Sequence, residues 1–290
     1  MIDQAKTLRE LVNRTPTLHL RLEAEREPQD KLTLVITSGK GGVGKSVLAS
    51  NLAVAFAAAG LRTLLVDGDL LFPNQDLLLG LKPRLTMLEA VEGRLPLGKA
   101  CVPVTGNLWL LPSRAVEAQY LGLEAELVRC LMRFLELESG YDVVVVDTAS
   151  GLSGRSVDLA GAATELWIVT TPSAPSIADS YAMVKHIWSL GLPTELCLCI
   201  NGARNERQAR DLHARFNQVT RQFLGREVAL AGWLPQDPRV EESLETGRPV
   251  ALAEPRSGLA KAISRVAREF LSRHPLTALR NSKSDTASAW

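Results

Sequence analysis

The chain lacks net charge: 33 basic and 32 acidic side chains over 290 residues leave +1 at neutral pH. That balance gives no global pull toward nucleic acid or an anionic membrane, so direct nucleic-acid binding is not expected and any such contact needs a local patch. Cysteine is scarce. The four, Cys101, Cys130, Cys197 and Cys199, include no CxxC pair, and no charged, apolar and small-residue layout of a signal peptide opens the chain. A reduced, cytoplasmic compartment is expected. Long apolar runs are missing as well, none approaching the ~18 residues of a membrane span. Internal repeats and low-complexity tracts are also absent.

Short apolar runs alternate instead with helical patterns. Residues 1–30 are charged and poor in β-branched side chains, with "AEREPQD" reading as a linker. From Lys31 onward, "KLTLVITS", "RTLLVDGD", "NLWLLPS", "YDVVVVDT", "ELWIVTTP", "TELCLCIN" and "VALAGWLP" read as strands, and 45–59, 122–138, 175–190 and 205–224 carry apolar residues at helical spacing. A strand such as "VVVV" is buried on both faces. The expected fold is therefore α/β, a mainly parallel central sheet with helices on both faces. Several strands end in Asp, Ser or Thr, where open α/β sheets bind ligands. The expected organisation is an N-terminal segment 1–30, one domain over 31–274, and a polar tail 275–290 ending in "NSKSDTASAW".

"SGKGGVGKS", residues 38–46, satisfies two fingerprints. Gly39, Gly41 and Gly44 give the GxGxxG of dinucleotide binders, with Asp67 placed to take ribose hydroxyls. Gly39, Gly44, Lys45 and Ser46 give the GxxxxGK[ST] of triphosphate binders, in which backbone N–H groups from Gly41 to Lys45 wrap the phosphates, Lys45 reaches the β and γ oxygens, and the Ser46 hydroxyl ligates Mg2+. The second reading also demands a carboxylate at the end of a buried strand. "VVVVDTASG" supplies Asp147, followed by Gly151. A P-loop for ATP and Mg2+ is therefore expected, with Asp67 and Asp69 at the end of the second strand sharing a side. One or both could instead be solvated turn residues.

On these residues the chain resembles the MinD/ParA-type ATPases. Lys40, inside "GKGGVGKS", is similar to that family's deviant Walker A lysine, which the resemblance places across a dimer interface on the phosphates of the facing subunit. "DGDLLFPNQD" resembles switch I, with matching positions Asp67, Asp69, Asn74 and Asp76, and "DTASG", ending at Gly151, resembles switch II. "GWLPQDPRVEESLETGRPV" resembles the segment that closes over the base. The resemblance spans roughly Lys31 to Ser272. It implies a MinD-like P-loop fold and an ATP-dependent homodimer with Lys40, Lys45 and Asp69 as catalytic residues, Asp69 orienting the attacking water. Ser46, Asp67 and Asp147 would hold Mg2+. Nucleotide would be bound by Gly39, Gly41, Gly42, Val43, Gly44, Lys45, Ser46 and Val47, with Asn201, Arg204, Pro235 and Asp237 on the base side. "INGAR" stands where a guanine reader would show NKxD, so adenine is expected. Asn201 and Asp237 could equally be helix caps.

A related class, the nitrogenase iron protein, holds an iron-sulfur cluster on exposed cysteines at its dimer seam. Here Cys197 and Cys199 sit on an apolar strand and Cys130 in a helical pattern, which reads as core.

"MIDQAKTLRELV" opens the sequence with an apolar stripe of Ala5, Leu8, Leu11 and Val12 at helical spacing. Such a stripe could dock on the chain's own domain. "DQAKTLR" also resembles the activator motif of the FlhG (FleN) group within the family, the regulators of flagellar number and placement. On that resemblance Asp3, Gln4, Ala5, Leu8 and Arg9 bind and stimulate FlhF, a signal-recognition-particle-type GTPase, and a flagellar transcription activator (FleQ) and switch-complex proteins are further partners. At the other end, "GLAKAISRVAREFLSRHP" puts Leu259, Ile263, Val266, Ala267, Phe270 and Leu271 on one face with Lys261, Arg265, Arg268 and Arg273 around it. Two readings stay open: the last helix of the core, or a peripheral contact with the inner face of the membrane or the cell pole.

Overall fold

A computed structural model of the chain describes residues 31–114, 124–137, 140–151, 158–192 and 194–276. The N-terminal motif with Asp3, Gln4, Ala5, Leu8 and Arg9, and all of the expected tail beyond Leu276, lie outside the described residues. Eight strands form one sheet: β1 (Leu32–Thr37), β2 (Thr63–Gly68), β3 (Val102–Thr105), β4 (Leu108–Leu111), β5 (Val143–Thr148), β6 (Glu165–Thr170), β7 (Glu195–Ala203) and β8 (Ala229–Pro235). Their spatial order is β3-β4-β2-β5-β1-β6-β7-β8, parallel throughout except for the antiparallel β3–β4 pair. Seven of the eight match the apolar runs read from the sequence. β3 was not among them: it is a four-residue edge strand carrying Pro103, and its faces alternate between half-buried and exposed.

The sheet separates two apolar layers because successive side chains point to opposite faces. Along β5, Val143 and Val145 enter one layer, while Val144 and Val146 enter the other. The first layer is closed by α1 (Lys45–Ala58), α8 (Val250–Ala253) and α9 (Gly258–Arg273). The second is closed by α3 (Met87–Val91), α4 (Glu124–Leu137), α5 (Ala174–Ser189) and α6 (Glu206–Leu224). Two short helices, α2 (Gln75–Leu78) and α7 (Arg239–Thr246), touch each other beyond the carboxyl ends of the strands.

Helix ends follow local chemistry. Asn205 accepts from the Gln208 amide at 2.9 Å to start α6, and Gly225 ends it at φ 69°. Ser257 accepts from the Ala260 amide at 3.0 Å to start α9. Of the two readings of α9, its apolar face settles on the core: Leu259, Ile263, Val266, Ala267 and Phe270 are all buried against α1 and β8. Phe270 lies 5.6 Å from the Phe56 ring and 5.9 Å from that of Trp167. This face is therefore taken and is not free to enter a membrane. No helix among the described residues is long and apolar enough to cross one.

At the amino end of β6, Glu165 is fully buried and accepts from Arg273 Nε at 2.8 Å, from His274 Nε2 at 2.6 Å and from Trp167 Nε1 at 2.5 Å. Burial alone would raise its pKa, but these donors outweigh it and hold the carboxyl below the usual glutamate range. The end of α9 is thereby fastened to the sheet.

Candidate functional site

β1 lies in the middle of the sheet, between β5 and β6, so the loop leaving its carboxyl end sits where ligands bind in open α/β sheets. This loop is 38–44. Two glycines in it are required by geometry: Gly42 at φ 77° and Gly44 at φ 86° occupy the left-handed region. Gly39 is required by contact, since a Cβ there would stand 2.5 Å from the Asp179 backbone. The loop then runs into α1, whose unpaired N–H groups and positive end favour an anion.

At that helix start, Lys45 Nζ reaches Asp147 Oδ1 at 2.5 Å and Ser46 Oγ at 3.3 Å. Both Lys45 and Asp147 are buried. Asp67 pairs in register with Asp147 on the neighbouring strand. Its carboxylate accepts from the Asn74 and Gln75 amides at 2.9 Å each and from the Asp69 amide at 3.3 Å. Burial first, and then the charge of Asp147, push its pKa up to about 7 despite these bonds. Asp69 is half-buried and its Oδ1 accepts from the Phe72 amide at 3.0 Å.

These contacts remove the dinucleotide alternative for Asp67. A carboxylate buried to 1% exposure and holding three backbone amides of the 69–75 segment is not presented to ribose hydroxyls. The donor set instead comprises two carboxylates and a hydroxyl, Asp67, Asp147 and Ser46, the hard oxygens that suit Mg2+. Beside them, Asn74 Oδ1 and Gln75 Oε1 are buried with no hydrogen-bond partner. Gln75 was not singled out by sequence reasoning. Its Nε2 donates to Asp147 Oδ2 at 2.8 Å and to the Ser46 carbonyl at 3.1 Å. Nothing in a single sequence marks one glutamine beside Asn74.

The remaining candidates divide between loop and rim. Lys40 and Gly41 are exposed, and the Lys40 carbonyl accepts from Ser38 Oγ at 2.9 Å. The Val47 carbonyl accepts from Asn51 Nδ2 at 2.7 Å. Gly151 donates its amide to the Ser38 carbonyl at 2.8 Å, tying the end of the "DTASG" segment to the loop. Asn201 does not cap α6, because Asn205 does; its Nδ2 donates to the Val43 carbonyl at 2.8 Å. Asp237 accepts from the Arg239 amide at 3.0 Å and pairs with the Arg239 guanidinium at 3.1 Å at the start of α7. Pro235 ends β8 opposite Ala203, and Arg204 is exposed beside it in the chain. Cys197 and Cys199 are buried inside β7; burial raises both thiols, that of Cys199 to about 12. They are core residues.

Comparison with known proteins places this geometry in context. A family model described as ParA, NUBPL iron-transfer P-loop NTPase, matches residues 29–271. The antiactivator FleN of Pseudomonas aeruginosa is 32% identical over 237 residues, covering 81% of this chain and 85% of that protein. A putative septum site-determining protein MinD of Oltmannsiellopsis viridis is 32% identical over 245 residues, covering 83% of this chain and 74% of its own length. Among solved structures, MinD of Pyrococcus horikoshii complexed with Mg-ADP superposes with a TM-score of 0.69 at 27% identity, covering 83% of this chain and 96% of that one.

Proposed function

The chain belongs to the ParA family of P-loop NTPases, and from that premise we propose that it is an ATP-dependent dimerising switch that regulates flagellar number and placement. The observation that carries the ATPase part is the buried junction of Lys45, Asp147, Ser46 and Asp67 at the foot of the glycine loop. Phosphoryl transfer to water needs charge neutralisation more than covalent chemistry. Lys45 and the α1 amides receive the phosphates, and Ser46, Asp67 and Asp147 would hold Mg2+, which would supply further positive charge to the phosphate oxygens. Asp69 orients the attacking water, whose oxygen bonds to the γ phosphorus as the bond to the ADP oxygen breaks, its proton ending on the released phosphate. Lys40, exposed on the loop, adds positive charge from a second subunit, so nucleotide favours the dimer. Asn201 shapes the loop through Val43, with Arg204, Pro235 and Asp237 on the adenine side.

Two features support the flagellar reading: the similarity to FleN and the "DQAKTLR" motif at residues 3–9. Through that motif the dimer stimulates FlhF, with FleQ and switch-complex proteins as further partners at the cytoplasmic face of the membrane or pole. A MinD-like partitioning or division-site role is the second reading, favoured by the equally identical MinD relative. Iron transfer, named in the family description, is poorly served by two cysteines sealed inside β7.

Light scattering after size exclusion separates these readings. The Asp69→Ala protein should be monomeric with ADP and dimeric with ATP and Mg2+. That dimer should raise GTP hydrolysis by purified FlhF only when residues 1–12 are present. A dimer without stimulation refutes the flagellar role, and no nucleotide response refutes the switch.

A further inference from the structure

We propose that Gln75 positions the metal-holding groups of this site and that its carbonyl oxygen accepts a hydrogen bond from a water bound to the cation; this rests on the nucleotide-Mg2+ reading above. Gln75 is the first residue of α2 and is 0% exposed. A carboxamide sealed from solvent must find partners for both ends. Its nitrogen end is settled: Asp147 Oδ2 and the Ser46 carbonyl are both acceptors, so only Nε2 can face them. Its backbone amide donates to Asp67 Oδ2 at 2.9 Å. One residue thus touches Asp67, Asp147 and Ser46.

The oxygen end is the unexplained part. Gln75 Oε1 is buried with no partner, which is unfavourable unless a donor reaches it. In their ionised form the carboxylates around it have no proton to donate, and the Lys45 ammonium is directed at Asp147 and Ser46. A water polarised by a divalent cation is a strong donor and is common around Mg2+, which keeps several of its waters. A leucine of similar size at 75 would leave Asp147 Oδ2 and the Ser46 carbonyl without this donor. The glutamine therefore serves the metal site at both ends, orienting an inner ligand and receiving an outer water.

The test uses the full chain, fluorescent mant-ADP and Mg2+. Gln75→Leu should weaken Mg2+ binding to the protein–mant-ADP complex roughly tenfold, while mant-ADP affinity in EDTA changes by less than about twofold. Gln75→Glu keeps an acceptor oxygen and loses the donor; it should bind Mg2+ within about threefold of the parent or more tightly, since the added charge attracts the cation. A structural role alone would lower the melting temperature of both variants and leave the Mg2+ midpoint unmoved, which would overturn the proposal. Loss of Mg2+ affinity in Gln75→Glu as large as in Gln75→Leu would also overturn it, and if Gln75→Leu fails to fold, a tenfold loss in Gln75→Glu alone does so. Failure of Mg2+ to change mant-ADP affinity in the parent protein, relative to EDTA, would instead sink the underlying metal-site reading.

Discussion

Replacing Gly44 by alanine strikes the loop and the rim at once, and its cost can be divided between them. Gly44 sits at φ 86°, where a Cβ costs ~1–2 kcal/mol. The same Cβ would overlap Asn201 Nδ2, forcing out the carboxamide that donates to the Val43 carbonyl at 2.8 Å. Losing that bond costs ~1 kcal/mol more, so Gly44→Ala should destabilise by ~2–3 kcal/mol. Asn201→Ala alone loses only the bond, ~1 kcal/mol. The double variant cannot lose the same bond twice. It should therefore be ~1 kcal/mol more stable than the sum of the single effects predicts. Urea unfolding of the nucleotide-free protein, read as midpoints at constant slope, measures the cycle. Additivity within ~0.5 kcal/mol would refute the claim that Asn201 acts on the loop through this contact.

Lys45→Ala should abolish mant-ATP binding and, by leaving Asp147 buried without its cation, destabilise the protein by about 3–5 kcal/mol; unchanged affinity by fluorescence titration contradicts the phosphate role. Lys40→Ala and Asp69→Ala should each keep mant-ATP affinity within about threefold yet lose hydrolysis in a phosphate-release assay, and normal turnover by Asp69→Ala removes that carboxylate from the mechanism. Glu165 supplies a pH test. Its folded carboxyl is more acidic than its unfolded one, so the native state holds fewer protons in the acid range and this stability is present above ~4.3 and lost as pH falls below it. Glu165→Gln should cost about 2 kcal/mol at neutral pH, with the gap to the parent narrowing as pH falls below ~4.3; a gap at pH 3 as large as that at neutral pH refutes the clamp's dependence on charge.

The central strands were legible because burial on both faces demands an unbroken apolar run, as in Val143–Val146, and the loop was legible because three glycines and a lysine stand at fixed spacing. β3 was not, since four residues with a proline carry too little pattern against an edge. Asn201 shows a different kind of failure. An asparagine before a helix is a fair cap by local rules, but Asn205 stands nearer the helix and Val43, 158 positions away in sequence, claims the Asn201 amide. Gln75 was hidden for the same reason: its partners Ser46 and Asp147 lie 29 and 72 positions away. The apolar face of α9 was visible, but only β8 and α1 say what covers it.

The packing of α9 on α1 has a consequence for synthesis. Phe56 is made early and Phe270 late, yet their rings meet at 5.6 Å, and Ala251 donates to Asn51 Oδ1 at 2.7 Å across 200 positions. At ~5–20 residues per second, the helix that follows the phosphate loop is translated roughly 10–40 s before the helix that covers it. During that interval its apolar side is open to water or to a chaperone. The nascent chain therefore cannot close this layer of the core until the α9 segment has left the ribosome, and nucleotide added to a stalled chain ending before residue 258 should find no finished site.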